Sequence, residues 1–400
     1  MRVLILTQHF APEVTAGRFR VESFAAGLRE RGHEVGVICP VPNHPKGVVE
    51  AGYGRRLVER RAVAGSKVSY VRVAVSREKT LRTRLSYYGS YAVMASLVGA
   101  AGRRPDVVLA SSPPLTVAAA GSFLATRFRA PLVLDIRDLW PDSALDLGEL
   151  DPGLVVSGMR RLEHHAYAKA AAIVTANDAF RERIEARSPE GRRVEVVPNG
   201  TTREWIQVAE SEVERTPLGL SDDDFVWAYA GNIGLAHGLE FAADAAELLG
   251  EGYRLLVIGE GPRRAELERR AATSDLALEL RGLMPPIEAA RHLRAADVLL
   301  VSERQEATVS AKLYDVCAVG RPVVAACRGE LRRVIERERL ALVVPHGDPE
   351  ALAGAVRRLR SEPGLGVELS GRARVFAQAH LRERQAERLA MLVESVAKPR

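Results

Sequence analysis

The segment Tyr229-Ala230-Gly231-Asn232-Ile233-Gly234-Leu235-Ala236-His237-Gly238-Leu239 sets three glycines between an apolar strand pattern and a helical one. Backbone N–H groups at such a junction can cradle phosphate oxygens, and the helix N-terminus adds its dipole. Asn232 and His237 offer further donors. The spacing is not Gly-x-Gly-x-x-Gly and no Walker lysine follows, which argues against dinucleotide and P-loop sites. A second loop, Gly259-Glu260-Gly261-Pro262, follows a strand ending at Ile258 and reads equally as an ordinary turn. Downstream, Lys312 and Asp315 stand three apart, which puts them on one face of a helix at its N-terminal end. A cation there meets a diphosphate, and a carboxylate one turn later accepts two ribose hydroxyls. A solvated ion pair is the plain alternative, but Gly320-Arg321-Pro322-Val323-Val324 returns the chain at once to a buried strand. Near the start, Pro12-Glu13-Val14-Thr15-Ala16-Gly17-Arg18 follows the first apolar run. Gly17 lets a ligand approach the backbone before a helix beginning near Arg18; a plain strand-to-helix turn fits the same residues.

These loops need strands and helices to hold them. Short β-branched runs at Val3–Thr7, Glu34–Cys39, Val68–Val75, Asp106–Ala110, Pro131–Asp135, Ala172–Thr175 and Val194–Val197 read as strands. Helix-period segments lie between several of them, such as Arg20–Arg31 ending on Gly32. A polar, weakly periodic stretch from Thr201 to Asp224 reads as a connector. A second series follows at Phe225–Ala230, Tyr253–Ile258, Leu276–Leu280, Asp297–Val301, Pro322–Ala326 and Leu340–Val344. Apolar strands alternating with helices mean parallel sheets covered on both faces. The expectation is α/β: two Rossmann-like doubly wound domains, 1–203 and 204–369, with ligands at the carboxyl ends of the strands in a cleft between them. A helical stretch over 370–400 is expected to pack back on the first domain.

The composition is that of an ordinary globular chain: 400 residues, 47% hydrophobic and 27% charged, enough for two cores. The net charge is +6, and it is local. Between Arg55 and Arg104 there are 12 basic residues against 2 acidic, so the remainder is slightly acidic. Three cysteines are too few for a disulfide framework or a zinc cluster, and fit a reducing, cytoplasmic setting. The first apolar run is too short for a secretory signal. The uncharged stretches Leu85–Gly102 and Val107–Thr126 are read as elements of a soluble domain. The first is rich in Ser, Gly, Ala and Tyr, and Pro113-Pro114 splits the second. Arg77, Lys79, Arg82 and Arg84 precede the first stretch, and basic residues beside apolar ones suit an anionic membrane surface. Nucleic acid would also match the charge, but no recognition motif accompanies it.

Taken in order, the motifs resemble one family. They are Phe10-Ala11-Pro12-Glu13 with Gly17, Leu28 to Val35, Asp135-Ile136-Arg137-Asp138-Leu139-Trp140-Pro141, Val197-Pro198-Asn199-Gly200, Tyr229 to Leu239 and Lys312 to Val324. The chain resembles a retaining glycosyltransferase of the GT-B fold, family 4, and within it the branch that transfers N-acetylhexosamines in bacterial surface polysaccharide synthesis. The resemblance implies a nucleotide-diphosphate sugar, usually UDP-linked, with Gly231, Asn232, Gly234 and His237 lining the diphosphate and Lys312 neutralising it. It implies Asp315 on the ribose, the backbone near Leu283 and Met284 on the base, and Gly17 approaching the donor. Arg137 and Asp138 match positions beside the reacting sugar. The acceptor would be a glycan, lipid-diphosphate-linked or free. Some positions depart from the family pattern. Ala307 stands where the first of two glutamates is usual, with Glu306 one residue away, and Asp315 is one methylene shorter than the second. Ser310-Ala311 replaces Pro-Ser, and His237 replaces a basic residue.

Transfer needs the leaving diphosphate stabilised as charge builds on it, which helix N-termini, amides and Lys312 supply electrostatically. No His/Cys cluster asks for a metal, and no cofactor besides the donor is expected. In the family's mechanism the leaving phosphate takes the acceptor's proton, so no dedicated base is required. Asp138 is assigned to orienting or polarising the acceptor hydroxyl; a helix N-cap before Leu139-Trp140-Pro141 is the plain alternative. A GT-B-fold sugar-nucleotide epimerase and a non-catalytic nucleotide-sugar-binding protein share the same sequence features. An oxidoreductase would need a fingerprint glycine loop after the first strand, and Pro12–Arg18 lacks it.

Overall fold

The structure, a computed structural model, describes residues 1–78, 80–273 and 277–397. Lys79 of the basic stretch, Leu276 at the expected start of a strand, and residues 398–400 lie outside them. Two compact units are present, Met1–Pro198 with Arg382–Arg400, and Asn199–Leu381. They divide at 198 and 381, where the sequence suggested 203 and 369.

Unit 1 is built on strands β1 (Arg2–Thr7), β2 (Glu34–Pro40), β3 (Val58–Val63), β4 (Ser66–Val71), β5 (Val107–Ser112), β6 (Leu132–Ile136), β7 (Ala172–Thr175) and β8 (Val194–Val196). Their order across the sheet is β3-β4-β2-β1-β5-β6-β7-β8. All neighbours are parallel except β3 against β4. The helices are α1 (Ala16–Glu30), α2 (Leu81–Ala100), α3 (Leu115–Phe128), α4 (Asp142–Asp146), α5 (Leu154–Lys169) and α6 (Asp178–Glu185). Thr15 Oγ1 caps α1 by accepting from Arg18 N at 3.1 Å, so the helix begins two residues before Arg18. β5 and β6 are buried along their whole length, as a sheet covered on both faces requires.

The sequence reading missed β3. Its residues, Val58-Glu59-Arg60-Arg61-Ala62-Val63, are charged and only partly covered, as suits a sheet edge. The usable signal was the Ala64-Gly65 pair, whose φ angles are both positive (47° and 74°), making the tight turn of a β-hairpin.

Unit 2 has strands β9 (Phe225–Ala230), β10 (Tyr253–Ile258), β11 (Leu278–Arg281), β12 (Val298–Glu303), β13 (Val323–Cys327) and β14 (Leu342–Val344). They are parallel in the order β11-β10-β9-β12-β13-β14. Its helices are α7 (Arg203–Glu210), α8 (Glu240–Leu249), α9 (Arg264–Thr273), α10 (Pro286–Ala295), α11 (Lys312–Val319), α12 (Gly329–Glu338), α13 (Pro349–Ser361) and α14 (Pro363–Ala379). The supposed connector therefore holds a helix. Trp205 and Val208 of α7 join the core formed with β9, β12 and α11. The stretch expected as one helix from 370 is divided. After α14 the chain turns at His380-Leu381, and α15 (Arg382–Val396) rejoins unit 1, burying Leu389 and Val393 with Leu28 of α1. No helix among the described residues is long and apolar enough to cross a membrane.

Strand order reverses between β1 and β5 in unit 1 and between β9 and β12 in unit 2, and ligands of such sheets bind beside those points. In unit 1 a fully buried ion pair fixes the sheet next to its reversal. Asp135 of β6 accepts from Arg20 Nε and Nη2 (3.0 and 2.9 Å) and from Ser111 Oγ (2.7 Å), while Arg20 Nη1 donates to Val197 O. Breaking such a pair from one side leaves a buried charge. Asp135→Asn is expected to lower stability by about 3 kcal/mol in urea unfolding, and an Arg20→Met, Asp135→Leu double variant to recover much of that. A loss within error for Asp135→Asn would refute the assignment.

Candidate functional site

In unit 2 the site is a consequence of strand divergence. β9 and β12 pair only at Val298–Trp227 and Leu299–Ala228. Beyond that the glycine loop takes over as the neighbour of β12: Arg304 N donates to Ala236 O (2.9 Å), and Ser302 Oγ donates to His237 O (2.5 Å). Lys312, the first residue of α11, lies across this gap. A Cβ on Gly231 would stand 2.5 Å from Lys312 Cε and 2.7 Å from Nζ, so only glycine, here with φ 149°, admits the side chain. Lys312 Nζ donates to the Tyr229 hydroxyl at 2.5 Å and sits 3.8 Å from the centre of that ring, and the hydroxyl donates to Asn232 O. The second glycine loop is a buttress. A Cβ on Gly259 would meet the carbonyl oxygen of Gly231 at 2.0 Å, and Ile233 N donates to Glu260 O.

The electrostatics follow from burial. Lys312 is drawn down to about 7, chiefly because burial penalises the ammonium, with Glu303 pulling the other way. Glu303 is almost fully buried at the end of β12, and sequence reasoning did not single it out. His237 is drawn down to about 3 by burial first and by Lys312 second, so it is neutral at physiological pH. Its Nδ1 faces Ser302 O at 2.8 Å and must carry the proton there. The single N–H of His237 is thus committed, and Nε2 is left as an acceptor. The expected phosphate donor at this position becomes a group that can accept from a hydroxyl.

The remaining donor-side residues take distinct places. Gly234 is buried with the Asn232 amide folded over it (2.6 Å from an added Cβ), and Asn232 is exposed. Asp315 is half-buried one turn after Lys312. Leu283 and Met284 follow β11, the edge strand, with Leu283 exposed and Met284 packed against the core. Glu306 is exposed and pairs with Arg328 at 3.1 Å, while Ala307 is buried.

Unit 1 brings Gly17 and Arg137 together. An added Cβ on Gly17 would fall 2.0 Å from Arg137 Nη1, so the open side of this glycine is taken by the guanidinium. Arg137 Nη2 donates to Pro113 O (2.9 Å), Nε is buried without a partner, and burial draws its pKa down against the opposing pull of Asp135. It opens on a cavity of about 390 Å³ whose wall includes Gln8, His9, Asn43, Tyr87 and Trp140. Asp138 turns instead to Ser143, whose Oγ donates to Oδ2 at 3.0 Å. Its Oδ1 is buried without a hydrogen bond, and burial raises its pKa. The next helix, α4, starts at Asp142 with Pro141 at the cap position, so Asp138 is not that cap.

His9 and Glu13 were missed as a pair, although Glu13 lies in the motif that carries the resemblance and His9 directly precedes that motif. His9 Nδ1 is 2.5 Å from Glu13 Oε2, and Glu13 Oε1 accepts from Asn43 N and His44 N (2.7 and 2.9 Å). Burial works to raise the pKa of Glu13; His9 and the two amides more than offset it. Spacing of i and i+4 was the available signal, hidden because the segment reads as a loop.

Residues 16–200 match the model of the glycosyl transferase 4-like domain, and residues 224–362 that of glycosyl transferases group 1. The Escherichia coli (strain K12) protein assigned to colanic acid biosynthesis as glycosyl transferase WcaI is 27% identical over 380 residues, covering 90% of this chain and 92% of its own. The fold is that of sucrose-phosphate synthase from Thermosynechococcus elongatus (TM-score 0.78, 17% identity, 99% of this chain and 98% of that one). It is also that of Anabaena Alr3699/HepE in complex with UDP and glucose (TM-score 0.75, 14% identity, 99% and 100%).

Two outcomes follow from the geometry. An unfolded lysine keeps its proton up to about 10.5, whereas folded Lys312 gives it up near 7. The folded state is therefore penalised below about pH 7 and relieved as pH rises toward 10. Thermal melts between pH 7 and 10 should show this upward slope and lose it in Lys312→Met; an identical slope in the variant would refute the burial assignment. Gly17→Ala should displace Arg137 from Pro113 while leaving Lys312 untouched, which a crystal structure of the variant would check.

Proposed function

We propose that this chain, which belongs to the GT-B glycosyltransferases and joins a 4-like domain to a group 1 domain, moves an N-acetylhexosamine with retention from its UDP-linked donor to a hydroxyl of a glycan. The observation that carries the reading is the ammonium of Lys312, buried over Gly231 at the N-terminus of α11. An anion arriving there restores the lysine's charge and gains the helix dipole, and that interaction strengthens as the leaving diphosphate becomes more negative. UDP as the nucleotide is supported by the likeness to Anabaena HepE, solved with UDP and with UDP-glucose. The hexosamine and retention rest on the order of the sequence motifs.

Within this reading Asp315 accepts from the ribose, the backbone at Leu283 and Met284 reads the base, and the departing phosphate takes the acceptor's proton without a metal. Nε2 of His237 accepts from a donor-sugar hydroxyl. The polar and aromatic cavity of unit 1, with Arg137 in its wall, suits the hydroxyls and apolar faces of a sugar acceptor. The unpartnered Oδ1 of Asp138 is the group assigned to orient the attacking hydroxyl. A lipid-linked acceptor and peripheral attachment to an anionic, cytoplasmic-side membrane surface are supported by α2. It exposes Leu81, Leu85, Val93 and Leu97, and Arg77, Arg82 and Arg84 lie at or before its first turn.

Calorimetric titration with UDP, GDP and ADP tests the donor assignment. UDP is expected to bind selectively, with net proton uptake near pH 7.5 seen as a dependence on buffer ionisation. Lys312→Met should weaken it by roughly 10- to 100-fold and abolish the uptake. A folded protein that binds none of the three overturns the site. UDP-N-acetylhexosamine altered without any acceptor would replace the transferase reading by an epimerase. Sedimentation with anionic vesicles tests the surface: a Leu85→Gln, Val93→Gln, Leu97→Gln variant should stay in solution, and equal sedimentation would remove the membrane assignment.

A further inference from the structure

Behind the glycine loop, at the carboxyl ends of β12, β13 and β14, unit 2 holds a second cavity of about 410 Å³. It is lined by Arg304, Cys327, Arg328, Arg332, Pro345 and His346. Three guanidiniums and an imidazole face one space, and no carboxylate is in the lining. Cys327 adds no anion, since burial pushes its thiol up to about 12. His346 is held below its ordinary value by burial, and Arg304 and Arg328 push it further down. Two of the arginines are balanced from outside the cavity: Arg328 by Glu306 at 3.1 Å and Arg332 by Glu336 at 2.7 Å. The Arg304 side chain has no hydrogen bond or ion pair among the described residues. Arg328 precedes the first residue of α12, whose positive end adds to the same field.

Like charges converge at a cost unless something of opposite sign joins them. Guanidiniums in a fork suit the paired oxygens of a phosphoryl group. We propose that this cavity is an oxyanion site that takes a phosphate group, either free inorganic phosphate or the phosphoryl group of a phosphorylated sugar. The site shares its wall with the donor loop. Arg304 donates its backbone N–H to Ala236 O, Arg328 Nε donates to Arg304 O at 2.5 Å, and Nε2 of His346 lies 3.2 Å from His237 O. Glu330 N donates to Glu306 O, fixing the loop that leads to Lys312. An anion drawing Arg304 and Arg328 together therefore tightens the loop that carries Gly234 and His237. On the donor reading above, phosphate raises UDP affinity.

The test is calorimetric titration of inorganic phosphate at constant ionic strength, on the Lys312→Met protein so that the donor lysine does not compete. One saturable site is expected, weakened by about tenfold or more in Arg332→Gln and in Arg304→Gln. It should be unchanged in Arg333→Gln, whose arginine lies on the same helix and outside the cavity lining. Arg332 is well exposed, so its substitution leaves the core alone. Tighter binding of a hexose 6-phosphate than of phosphate identifies a sugar phosphate as the source; equal binding identifies the free ion. No saturable binding, or binding that Arg332→Gln and Arg304→Gln leave unchanged, overturns the site. The wild-type protein is then titrated with UDP, with and without phosphate. If UDP fails to bind while arginine-dependent phosphate binding persists, the donor reading falls and the oxyanion site stands.

Discussion

Parallel strands cannot be joined by tight turns; each must be followed by a crossover that leaves from its carboxyl end. In both units the loops bearing candidate residues therefore issue from one edge of the sheet. At the strand-order reversal, crossovers leave on opposite faces and open a crevice. The glycine loop after β9 and Lys312 after β12 flank that point in unit 2. Pro12 to Gly17 after β1, Pro113 after β5 and Arg137 after β6 flank it in unit 1. Elements remote from the chemistry serve this arrangement. The Arg20–Asp135 pair ties α1 to β6 on one side of the crevice, and the loop at Gly259 supports the one at Gly231.

Charge placement is the second theme. Burying a cation costs free energy, and an anion bound beside it offsets that cost. Lys312 is covered more completely than its neighbours offset, with Glu303 near it and Tyr229 accepting from it. Arg137 is similarly covered, with a donor unspent. On the proposed reading, an arriving anion is what offsets that cost. The arginine cavity behind the glycine loop repeats the pattern with its cations nearer the surface.

Local context also changed the meaning of residues that were rightly noticed. His237 was expected to donate; its carbonyl partner on β12 takes the one available proton and leaves an acceptor. Gly17 was expected to leave room for a ligand; the room is filled by a guanidinium from the loop after β6, 120 residues away. Asp138 and Arg137 are sequence neighbours, yet one faces Ser143 and the other the cavity. The reversals at His237 and Gly17 came from partners distant in sequence, which a local motif cannot reveal.

What the sequence by itself determined was the fold and the places of the candidate residues on it. Runs such as Leu132–Leu134 and Val298–Val301 are apolar on both faces because the sheet is covered on both sides, so short apolar runs alternating with helical segments mark parallel strands. Glycines at 231 and 234 and the Lys312–Asp315 pair were legible because helix and turn geometry are local. The charged edge strand β3 and the short helix α7 were not legible, since the first lacks a core face and the second gains its stability by docking Trp205. Protonation states and the arginine cavity were decided only by the tertiary structure. They depend on burial and on contacts between side chains that the chain keeps apart, and spacing along a sequence carries neither quantity.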